Sequence, residues 1–77
     1  MFVVSIKEVR RVLKGTVRRW LNGRGYGFIE PEEGGEDVFV HHSEVSGAYD
    51  LREGQRVKFE VQSTSRGPKA INVRLIE

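Results

Sequence analysis

The chain has 77 residues, of which 38% are hydrophobic and 31% charged, with a formal net charge of +2 and no cysteine. That length allows one domain and one small core, because a chain this short buries only about 60% of the surface its unfolded form exposes. Two catalytic lobes are excluded by size, a disulfide framework and thiolate metal sites by the missing cysteines, and a transmembrane or signal segment by the shortness of every wholly apolar run, that at Phe2 to Val4 included. A cytoplasmic location is expected, with the fold held by packing alone.

The first thirteen residues form an extension that reads two ways. Phe2, Ile6, Val9 and Leu13 recur at helical spacing, whereas the β-branched content of residues 2–6 suits a strand. The spacing favours a helix, whose apolar stripe would cover the barrel or a second copy, so a homodimer is one expected outcome.

Five strands then follow in order: Lys14 to Leu21, Tyr26 to Pro31, Asp37 to His42, Arg56 to Ser63 and Ala70 to Leu75. All are short, and breaks at 22–25, 31–35, 53–55 and 65–68 carry Gly, Pro and Asn turn chemistry. The expected fold is all-β, a five-stranded antiparallel barrel over residues 14–77. Val17, Ile29, Val38, Val40, Val57, Phe59, Val61, Ile71, Val73 and Leu75 supply the inward positions. Counting in steps of two from Val17 turns Arg18 and Trp20 outward. The stretch from His42 to Gln55 lacks alternation and is expected to be a loop or short helical turn, with Tyr49 its conspicuous side chain.

The chemistry lies in two runs, Gly25-Tyr26-Gly27-Phe28-Ile29 and Asp37-Val38-Phe39-Val40-His41. Alternate residues of a strand share a face, so Tyr26 and Phe28 project together, as do Phe39 and His41. Flat rings left outside, beside Arg24, suit stacking of unpaired nucleobases. Charge supports a polyanion partner. Residues 1–28 hold seven Lys/Arg against one acid, residues 29–53 one against eight, and residues 54–77 five against two. A basic surface results if the ends lie side by side. Arg18, Arg19, Arg24, Arg66 and Lys69 are its candidate cations, able to pair with phosphates and to lie over bases.

Other chemistries fit poorly. The glycines at 23, 25 and 27 lack the following helix of a dinucleotide loop, since Pro31 comes too soon. Adjacent His41 and His42 would point to opposite faces of a strand and so not chelate one ion. The acids between Glu30 and Asp37 lack the alternating ligands of a calcium loop. No Ser with a base and orienting acid is evident. No enzyme, metal, cofactor, small-molecule substrate or membrane partner is therefore expected.

From residue 14 onward the chain resembles the cold-shock domain, a five-stranded OB-fold barrel that binds single-stranded RNA and DNA. The resemblance rests on Lys14-Gly15-Thr16-Val17, the two aromatic runs, Leu51-Arg52-Glu53-Gly54-Gln55, Arg66-Gly67-Pro68-Lys69-Ala70 and Asn72-Val73. It implies that Tyr26, Phe28, Phe39 and His41 stack on bases, that Arg24 and Arg66 contact backbone or base edges, and that Asp37 helps to order the site. Where the family usually has Lys-Trp-Phe, this chain reads Arg18-Arg19-Trp20. The ungapped register, which sets Arg19 in the place of the family's Trp, is preferred. His42 replaces a usual Phe, making that platform smaller and pH-sensitive. The expected function is single-strand binding as an RNA chaperone; the rival is a protein-interaction or dimerisation module using the aromatic face or the extension.

Overall fold

The structure is a computed structural model that describes residues 11–47 and 50–76. Its strands are β1 (Val12–Leu21), β2 (Tyr26–Pro31), β3 (Val38–His41), β4 (Arg56–Thr64) and β5 (Gly67–Ile76), with a short 3-10 turn at His42–Glu44. Hydrogen bonding closes them into a barrel in the order β1-β2-β3-β5-β4. Four pairings are antiparallel. The closing pair, β3 with β5, is parallel, with Phe39 opposite Lys69. The expected extension through residue 10 lies outside the described residues, whereas Val12 and Leu13 are already part of β1.

β1 is long enough to serve two neighbours. Its first half pairs with β4, from Val12 opposite Glu60 to Thr16 opposite Arg56, and its second half runs along β2 to Leu21 opposite Tyr26. The basic first and last thirds of the chain therefore share one ladder. The alternation that marked Val17, Ile29, Val38, Val40, Val57, Phe59 and Val73 as inward is realised, and all seven are buried.

Two irregularities change the phase elsewhere. In β1, Val17 lies opposite Ile29 but Arg19 lies opposite Phe28, so Arg18 is one extra residue, a β-bulge. Trp20 then falls opposite Gly27 and turns inward, with only 6% of its surface exposed. The expectation that Trp20 faces outward is thus overturned: counting by two fails across an inserted residue. Its indole N–H donates to the Asp50 carboxylate at 3.1 Å, which satisfies the one polar atom of the ring.

In β5, three steps from Arg74 to Ile71 match two steps from Lys58 to Glu60. Asn72 absorbs the extra residue at φ 52°, a left-handed conformation that Asn tolerates. Ala70 and Ile71 are consequently both buried, and Val61 packs at the margin of the core. Leu75, expected inward, is 42% exposed, because among the described residues this end of β5 pairs with β4 alone. Leu51, from the stretch after the 3-10 turn, supplies a further core side chain that alternation could not mark.

Gly27 makes room for the tryptophan. A Cβ there would meet the Arg19 carbonyl oxygen and lie 2.8 Å from Trp20 Cε3. Gly27→Ala should therefore destabilise the barrel by about 3 kcal/mol, the upper end for overpacking, read as a lowered denaturant midpoint. A midpoint equal to the parent's would contradict this packing.

Candidate nucleic-acid interface

The outward face of β2 and β3 is aromatic because both strands keep strict alternation. Tyr26 pairs with His41 and Phe28 with Phe39, so their side chains rise from one surface while Gly27, Ile29, Val38 and Val40 turn in. Ring centroids lie 5.5 Å apart for Tyr26 and Phe39, 6.0 Å for Phe28 and Phe39 and 6.4 Å for Tyr26 and Phe28, the last two edge-to-face. Each ring is half-buried. They brace one another in favourable aromatic geometry yet leave surface to the solvent.

Register extends this face sideways. Arg19 lies opposite Phe28 on one flank, and Lys69 opposite Phe39 on the other, giving a row Arg19, Phe28, Phe39, Lys69 across four adjacent strands. The bulge at Arg18 makes that row, since without it Arg19 would point inward. The signal was present in the sequence: two arginines between the apolar Val17 and Trp20 break the two-residue period, as a bulge does.

At the hairpin end, Gly25 adopts φ +74° and its carbonyl accepts the His42 N–H at 2.8 Å. A Cβ on Gly25 would stand 2.6 Å from His42 Cδ2, so the glycine lets the imidazole lie against the turn. The rings of His41 and His42 are 4.4 Å apart and tilted by 34°. The expectation that they point to opposite faces does not hold, because β3 ends at His41 and the backbone turns there into the 3-10 segment. His41 Nδ1 accepts the Ser43 backbone N–H at 3.2 Å and lies 2.9 Å from Ser43 Oγ. With Nδ1 an acceptor, the neutral ring carries its proton on Nε2.

The cations divide into two groups. Arg18 is engaged by Glu30 at 3.6 Å and Asp37 at 3.7 Å, Arg56 by Glu32 and Arg11 by Glu33. Acids of the middle third thus occupy part of the basic surface. Arg19, Arg24, Arg66 and Lys69 have no ion pair among the described residues. Arg24 sits in the β1–β2 turn, its N–H donating to the Leu21 carbonyl, and Arg66 in the β4–β5 hairpin, its N–H donating to Thr64 Oγ1. Of the residues singled out in the sequence, Arg19, Tyr26, Phe28, Phe39, His41 and Lys69 share the aromatic face, with Arg24 and His42 at its hairpin end. Arg18 and Asp37 meet each other beside it, Trp20 is behind the sheet, and Tyr49 lies outside the described residues.

This arrangement of aromatic strands on a small closed barrel agrees with comparisons to known proteins. A family model described as the "'Cold-shock' DNA-binding domain" matches residues 13–76. The chain belongs to the cold-shock domain family. The cold shock-like protein CspE of Escherichia coli strain K12 is 48% identical over 63 residues, 79% of this chain and 91% of that protein. The probable cold shock protein A of Mycolicibacterium smegmatis is 50% identical over 66 residues, covering 82% and 97%. Among solved structures, Drosophila Unr CSD456 superposes with a TM-score of 0.74 at 21% identity, over 90% of this chain and 28% of that one, a likeness of fold. As a cold-shock domain the chain is a nucleic-acid-binding barrel, and its half-buried, outward-facing rings are the feature that suits this chemistry.

Proposed function

We propose that this cold-shock domain is a cytoplasmic RNA chaperone: it stacks unpaired bases of RNA, and of single-stranded DNA, on Tyr26, Phe28, Phe39 and His41 and so holds strands open. The reading rests on the half-buried ring cluster flanked by cations that no acid engages among the described residues. Stacking contributes roughly 1 to 3 kcal/mol per base and tolerates any sequence, so a few rings trap a segment that opens transiently. Modest net charge keeps exchange fast, and neither cofactor nor nucleotide hydrolysis is needed. The test is a hairpin RNA labelled at both ends: it should open on adding the protein without ATP, whereas a persistently closed hairpin would overturn the chaperone reading.

Arg24 and Arg66 are assigned to phosphates. Arg24→Gln or Arg66→Gln should weaken binding to every short oligonucleotide and flatten the plot of log affinity against log salt by about 0.7 per lost contact. Slopes equal to the parent's in both variants would remove these residues from the backbone path.

A further inference from the structure

Beside the ring cluster, Arg18, Arg19, Phe28, Glu36, Asp37 and Glu53 line one open concavity of about 550 Å³. Within it Arg18 and Asp37 are joined to each other at 3.7 Å. What remains in it, among the described residues, is the half-buried ring of Phe28; a guanidinium without an ion pair, Arg19, in register with it; and two exposed carboxylates, Glu36 and Glu53. Three carboxylates against two guanidiniums disfavour a phosphate in this hollow, so the part of a nucleotide that enters is the base.

The geometry points to a subsite for one unpaired guanine, stacked on Phe28, with its O6 and N7 facing Arg19 and its N1–H and N2–H groups facing Glu36 or Glu53. The guanidinium fork matches O6 and N7 bidentately. A carboxylate accepts two parallel N–H bonds. Guanine alone among the common bases offers both a purine two-acceptor edge and a two-donor edge; adenine has one acceptor and an amino group on the corresponding side, and uracil has a single N–H. In a single strand both edges are free of pairing partners. The inference rests on the proposed binding of single strands and adds a base preference to a surface that otherwise stacks without discrimination.

The test uses heptathymidine and its variants with a single dG placed at each position in turn. At one position dG should tighten binding about fivefold or more. The gain should vanish when 7-deaza-dG removes N7 or deoxyinosine removes the 2-amino group. It should also vanish in Arg19→Lys, which keeps the charge but not the fork, the gain being read as the ratio of dG to dT affinity within each variant. No dG position tighter than dT, or a dG gain that survives in Arg19→Lys and Arg19→Gln, would overturn the guanine subsite while heptathymidine binding leaves the stacking function standing. Failure to bind heptathymidine at any salt concentration would sink both.

Discussion

Replacing Trp20 with Ala should lower the unfolding free energy by about 3 to 5 kcal/mol, the range for deleting a large buried aromatic side chain. A small domain has only about 5 to 15 kcal/mol to lose. The ring is 6% exposed, belongs to the cluster that includes Val17, Ile29 and Phe59, and fills the space above Gly27, so its removal leaves a cavity that the closed barrel cannot easily collapse. Trp20→Phe should be milder. It keeps an aromatic ring against Gly27 and forfeits the bond to Asp50, a loss of about 0.5 to 1.5 kcal/mol. Chemical denaturation of the three proteins checks the ordering. If Trp20→Ala instead unfolded at the parent's midpoint and lost oligonucleotide affinity, the tryptophan would have to be an outward stacking ring.

Phe28→Ala and Phe39→Ala should have the complementary effect, weakening binding of short single strands by about 1 to 3 kcal/mol each and leaving the barrel folded. These rings sit opposite each other at the centre of the face, 6.0 Å between centroids, and their loss also removes a brace from Tyr26. The double variant should therefore lose less or more than the sum, since neighbours in contact do not act independently. Fluorescence anisotropy with a labelled heptanucleotide measures the loss, and circular dichroism checks the fold. Affinity within a few tenths of a kcal/mol of the parent's in both single variants would show that the rings serve packing.

Much of this site was legible in the sequence where strands are regular. β2 and β3 alternate without interruption, so the outward placement of Tyr26, Phe28, Phe39 and His41 followed from the two-residue period alone. The same rule failed at Trp20 and Leu75. At Trp20 a single inserted residue, Arg18, exchanged the two faces of the strand; at Leu75 the period was right, but among the described residues β4 alone pairs with that end of β5 and the side chain is left 42% exposed. It also failed at the end of β3, where the 3-10 turn brings the rings of His41 and His42 together.

The sequence by itself determined an all-β barrel of five strands, the aromatic face and the family, because these are set by local alternation, turn residues and ordered motifs that act over a few residues. Only the tertiary structure decided which cations are engaged by acids far along the chain, the parallel closure that sets Lys69 beside Phe39, and the burial of Trp20 under the bulge. The physical reason is that a strand's faces follow from its own residues, whereas registers, bulges and ion pairs depend on which strand lies alongside.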